Sequence, residues 1–81
     1  MELAPEAVLP LLGPSDENLR TLEQVLTADI HVRGNAVTLS GKVADVALAE
    51  RVVSELAAVV KRAQPLTPDA VRRTVRVEQV S

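Results

Sequence analysis

Ile30-His31-Val32-Arg33-Gly34-Asn35-Ala36-Val37-Thr38-Leu39-Ser40 is the stretch on which the reading of this fold depends. Ile30 and Val32 fall on one face, with Val37 and Leu39 on the same face of the paired segment. His31, Arg33, Thr38 and Ser40 face the other way. Alternation with a period of two marks half-buried strands, and Gly34-Asn35 suits a tight two-residue turn. The stretch therefore predicts an antiparallel β-hairpin, ended by Gly41. A lone hairpin is marginal in water. Its apolar face needs helices to cover it, and it would gain from a third strand. The one stretch that could supply that strand, residues 1–3, looks too short.

Helical patterns lie on both sides of the hairpin. Upstream, Pro5 can open a first turn, and a brief helix is expected over 5–12 with Pro10 kinking or ending it. Gly13-Pro14 breaks the chain. Ser15 reads as the N-cap of the next helix, with Asp16 and Glu17 complementing its dipole. Leu19, Leu22, Val25 and Leu26 then carry helical spacing, which predicts a helix over 16–26. Downstream, Val46, Ala49, Val53, Leu56 and Val60 form the stripe of a long helix over 43–63, with Lys61 and Arg62 at its negative end. Gln64-Pro65 stops it. Thr67-Pro68-Asp69 starts a last short helix running to residue 76, and 77–81 read as a frayed tail or as the lead into further chain. The sum is one small α+β domain, a hairpin packed on three to four helices, with the chain expected to be cut from something longer at both ends.

Composition narrows what such a domain can do. The chain has 81 residues, near the lower limit for a core that holds without help. It has no cysteine for disulfides or thiolate metal sites, and no Phe, Tyr or Trp. Its core must come from Val, Leu, Ile and Ala, and with 47% hydrophobic residues that is feasible. The net charge of −2 is not that of a domain that grips nucleic acid mainly by charge, although local patches remain open to it. No apolar run is long enough for a membrane helix. Glu2, Glu6, Pro5 and Pro10 do not make a signal peptide. A cytoplasmic protein with no membrane partner is expected.

Tests for chemistry come back empty. Gly41-Lys42 ends like a phosphate-binding P-loop, but Ala36 stands where the upstream glycine belongs and Val43 where Ser or Thr belongs. His31, the single histidine, cannot form a metal cluster alone and reads as an exposed strand residue. Asp16 and Glu17 read as dipole complements rather than paired acid–base carboxylates. Arg72, Arg73 and Arg76 make a small basic helix face that could meet phosphate or an acidic partner, and Lys61 and Arg62 could extend it. Aromatic platforms for stacking bases are missing. The chain by itself reads as no enzyme, with no cofactor of its own.

The run 13–41 resembles the start of the PhoH-like proteins, the phosphate-starvation-inducible P-loop ATPases. Gly13-Pro14 followed by Asp16-Glu17-Asn18-Leu19, the Leu22-Glu23 pair, the Arg33-Gly34-Asn35 turn and Thr38-Leu39-Ser40-Gly41 carry it. Gln64-Pro65-Leu66-Thr67-Pro68 and Val71-Arg72 extend it over nearly the whole chain. The resemblance implies a KH-like module, residues 1–81, as an N-terminal accessory domain ahead of an ATPase domain that uses ATP and Mg²⁺. It also implies a link to RNA metabolism, with the ATPase domain of the same chain, RNA and a YbeY-type endoribonuclease as partners.

A type I KH domain runs strand, helix, helix, strand, strand, helix. The pattern read here follows that order with its first strand mostly truncated. The KH loop is glycine-x-x-glycine between the first two helices. At that place stands Gly13-Pro14-Ser15-Asp16, keeping only the first glycine. Proline stiffens the loop, and the Asp16 and Glu17 carboxylates repel phosphate. The first expectation is therefore an assembly or partner-contact domain. The alternative is a single-stranded RNA module in which Arg20, Arg33, Arg72, Arg73 and Arg76 contact phosphates.

Overall fold

The hairpin forms where the alternation puts it. In the computed structural model, which describes residues 1–80, β1 (Asp29–Arg33) and β2 (Ala36–Ser40) pair antiparallel, Ile30 opposite Leu39 and Val32 opposite Val37. Ile30 and Val37 are buried, Val32 and Leu39 half-buried, and His31 and Thr38 exposed. Of the two turn residues only Gly34 takes a positive φ, 57°, the arrangement of a II′ turn with glycine at its first central position.

Residues 1–3 do supply a fragment of third strand. Glu2 bridges Ala36, the Leu3 N–H donates to Asn35 O at 2.8 Å, and the Val37 N–H donates to Met1 O at 2.7 Å. The Asn35 side chain closes the corner by donating to Leu3 O at 3.0 Å. Short as it is, the segment covers the outer edge of β2, because Leu3 is buried and fixes it in place.

Four α-helices complete the fold among the described residues: α1 (Pro5–Leu12), α2 (Glu17–Val25), α3 (Val43–Lys61) and α4 (Pro68–Val80). The order is that of a KH-like α+β domain with one further helix. Pro10 does not end α1. Leu11 is buried and the Gly13 N–H closes on Leu9 O at 3.0 Å, which holds the last turn. Ser15 is not the cap of α2. It sits at φ 53° inside a single 3₁₀ turn, Pro14–Asp16, and the position before the helix falls to Asp16 at φ 58°. A capping side chain needs extended backbone, and neither residue has it, because the chain must reverse between two helices within four residues.

The long helix stops at Lys61, and Ala63 at φ 59° turns the chain away. Its buried face includes Val52 as well as Ala49, Val53 and Leu56, while Val46 and Val60 lie at the margins. The tail expected to fray from residue 77 is helical through Val80. Val71 and Val75 seat α4, and Glu78 ties it to α3 through Arg51 Nε–Glu78 Oε2 at 3.5 Å. Ser81 lies outside the described residues.

α4 packs on α2 and α3, α1 packs on α3 and α2, and β2 rests on α3. Leu22, Val52, Val53, Leu56 and Val71 are the largest fully buried apolar side chains. Burying each stabilises the fold by roughly 1.5–3 kcal/mol. No helix among the described residues is long and apolar enough to cross a membrane.

Candidate nucleic-acid interface

The loop joining α1 to α2 is the site the sequence singles out. Gly13 takes φ 79° and ψ 173°, a region open essentially to glycine alone. Ser15 and Asp16 follow in left-handed conformations, φ 53° and 58°, at exposed positions. Two consecutive non-glycine residues of positive φ are uncommon and cost energy, since their Cβ atoms crowd the backbone. The Asp16 N–H donates to Gly13 O at 3.1 Å, which draws the loop into one tight turn.

What the loop closes upon is Asn18, in the first turn of α2. Its side chain is fully buried and donates through Nδ2 to Leu66 O at 3.1 Å. A Cβ added at Gly13 would stand 2.7 Å from that Nδ2. The one retained glycine of the KH-like loop is thus packed inward on an asparagine, which in turn holds the linker between α3 and α4. Asn18 Oδ1 is buried without a hydrogen-bond partner among the described residues. It is an acceptor, so it does not favour an anion at this place.

Asn18 was not singled out in the sequence, though a signal was present. It lies three and four residues before Thr21 and Leu22, both buried, and so on the core side of α2. A polar amide at such a position must find a partner inside.

The candidate arginines stand on three different elements. Arg20 is exposed on α2, Arg33 is exposed where β1 enters the turn, and Arg72, Arg73 and Arg76 are exposed on α4. The α4 arginines share the outer side of that helix, since Val71 and Val75 define its inner side. Arg72 is partly neutralised by Asp69, Nη1 to Oδ1 at 3.1 Å. The main packing partners of α4 are α2 and α3, and the hairpin that carries Arg33 rests on α3. Lys61 and Arg62 are exposed at the end of α3. A cleft of about 510 Å³ opens between α1 and the end of α3, lined by Ala7, Pro10, Val60 and Pro65 among others, and neither the loop nor any of the five arginines borders it. No group of three or more His, Cys, Asp or Glu that could hold a metal occurs among the described residues.

Relatives from Mycobacterium bovis and Mycobacterium tuberculosis, each named PhoH-like protein, are 61% identical to the chain over 75 residues. One from Mycobacterium leprae with the same name is 57% identical over 75 residues. The chain matches a segment of the PhoH-like proteins. The match takes in 93% of this chain but only 21% of the Mycobacterium tuberculosis PhoH-like protein and 22% of the Mycobacterium leprae one, so the chain spans about a fifth of their length. No family model and no solved structure matches it.

Proposed function

We propose that this chain is the KH-like N-terminal accessory domain of a PhoH-like, ATP-binding protein linked to RNA metabolism, and that it works through assembly or partner contacts. ATP and Mg²⁺ belong to the rest of that protein, as does the ATPase activity. The observation that carries this reading is the closed loop. In a segment 61% identical to part of the PhoH-like proteins, Gly13 is spent on packing against Asn18, and Asp16 and Glu17 stand exposed where a phosphate backbone would come. Close approach of phosphate needs open backbone and positive potential, and this loop offers neither. The partners that fit are the ATPase domain of the same protein and a YbeY-type endoribonuclease, in the cytoplasm.

The second reading, a single-stranded RNA module, draws on the KH-like order of elements and on the exposed Arg20, Arg33, Arg73 and Arg76. Titration of the chain with a fluorescent single-stranded RNA separates the two. The accessory reading expects no saturable binding even at low salt, where phosphate contacts are strongest. Saturable binding that weakens as salt rises, and that Arg20→Ala with Arg33→Ala reduces in a folded protein, would overturn it in favour of RNA.

A further inference from the structure

The hairpin has one covered edge and one open edge. Val37 donates its N–H to Met1 O at 2.7 Å and accepts from Met1 N at 2.8 Å, so both of its backbone polar groups point away from β1. Val32 stands opposite Val37, and the two therefore form a pair without mutual hydrogen bonds. The N–H and C=O of Val32 point outward on the β1 side, and those of Ile30, two residues earlier, point the same way. None of these four groups has a hydrogen-bond partner among the described residues. Residues 1–3 cover the edge of β2, whereas the main packing partner of β1 is β2 itself.

The side chains along this edge complement themselves when the strand is reversed. Asp29 and Arg33 stand exposed at its two ends, with His31 exposed midway between them on the same face. Neither Asp29 nor Arg33 forms an ion pair among the described residues. A hollow of about 160 Å³ opens between the end of α2 and the start of β1, and Glu23 and Asp29 both border it. The acidic end of the strand thus offers two carboxylates to a cation, and the other end carries one.

We propose that the open edge of β1 pairs antiparallel with the same edge of a second copy of this chain, about a two-fold axis between the two His31 residues. A two-fold contact uses the same patch twice. In this register Ile30 of each copy meets Val32 of the other, and their outward groups form four N–H to O=C hydrogen bonds. Arg33 of each copy stands opposite Asp29 of the other, beside the hollow that Glu23 borders. Opposite charges facing across a strand pair stabilise it, and like charges destabilise it. Sliding the strands by two residues sets Arg33 against His31 or Thr27 instead and shortens the paired stretch. A phosphate chain laid along this edge would meet Asp29 and Glu23, so a reversed copy of the strand fits it better than RNA. The pairing deepens the assembly reading and rests on it for its purpose. It is measured without RNA or ATP, so a chain that fails to pair still leaves other partner contacts to that reading.

Sedimentation of the intact chain, from about 10 µM to about 1 mM in low salt, tests it over the range expected of a small interface. The mass should rise from 8.7 kDa toward twice that value. Over the same range the Ile30 and Val32 amide protons should exchange with solvent more slowly, while that of Val37, already bonded to Met1 O, should not change. Arg33→Glu alone, or Asp29→Arg alone, sets like charges across the axis at exposed positions. Each should leave the circular dichroism unchanged and require at least about tenfold more protein to associate. Combining the two changes exchanges the charges and should restore association. A chain that stays monomeric at the highest concentration overturns the inference. So does association that leaves the Ile30 and Val32 amides unprotected, or that the single charge changes do not weaken, or that the combined change does not restore.

Discussion

Gly13 keeps the place of a loop glycine while its open side is packed against the same chain. In a phosphate-gripping loop, glycine clears space for a ligand, whereas here the cleared space is filled by Asn18 from the same chain. Gly13→Ala should lower the unfolding free energy by about 2–3 kcal/mol, since φ 79° with ψ 173° is hostile to any Cβ and the Asn18 amide is already there. Asn18→Ala should cost about 1–3 kcal/mol by stranding Leu66 O. Urea denaturation of the double variant checks the link between them. The two losses should sum to more than the double variant shows, because removing the amide relieves the clash, and strictly additive losses would mean the contact is unimportant.

Asp16→Gly tests the loop's function at the same scale. It restores the glycine-x-x-glycine spacing, removes a carboxylate and suits φ 58°. Stability should change by less than about 1 kcal/mol, as relief of left-handed strain offsets the flexibility of glycine. RNA affinity should not appear, because Gly13 stays packed on Asn18. Salt-sensitive RNA binding by this variant would show that Asp16 alone was keeping phosphate out.

Among the elements, those with regular periodicity could be read directly from side-chain order. The hairpin register follows from the alternation of Ile30, Val32, Val37 and Leu39, and α1 begins and ends where Pro5 and Gly13 punctuate the chain. α3 was legible in its length, but Val52 escaped because a broad buried face takes in more than one stripe. The start of α2 was legible to within one residue but its cap was not, since Ser15 is the right residue type for a cap but sits in a tertiary turn that denies it extended backbone. The end of α4 was misread because its last anchor, Glu78 on Arg51, is a contact from another helix and leaves no local trace. The candidate loop could be located from Gly13-Pro14, whereas its closure by Asn18 and Leu66 O depends on groups 48 residues apart. Where a local signal did hold, its energy can be measured. The Ala70 N–H donates to Thr67 Oγ1 at 3.2 Å, so Thr67 caps α4 as its sequence suggests. Thr67→Ala should destabilise by about 1 kcal/mol, and Thr67→Asp should retain most of the stability. An unchanged melting temperature in Thr67→Ala would mean that packing on α2 and α3 alone holds the start of α4.

For the molecule as a whole, the absence of aromatic residues leaves the core to aliphatic side chains of modest size, so stability is spread thinly over many contacts. The first three residues then matter more than their length suggests. Leu3 adds a buried side chain to the core, and its neighbours cover the free edge of β2 through Glu2 opposite Ala36 and the Val37 N–H on Met1 O. A chain begun at Ala4 loses the burial of Leu3, worth roughly 1.5–3 kcal/mol, while the freed backbone groups turn to water at a smaller net loss. In a domain of this size each kcal/mol shifts the melting temperature by about 4–8 °C. The shortened chain should therefore melt at least about 6 °C lower by circular dichroism, with its helices still formed at low temperature. It should also gain a tendency to aggregate, because an uncovered strand edge is a template for pairing. If melting is unchanged, the two strands and four helices form the stable unit by themselves, and the first strand of the KH-like order is dispensable here.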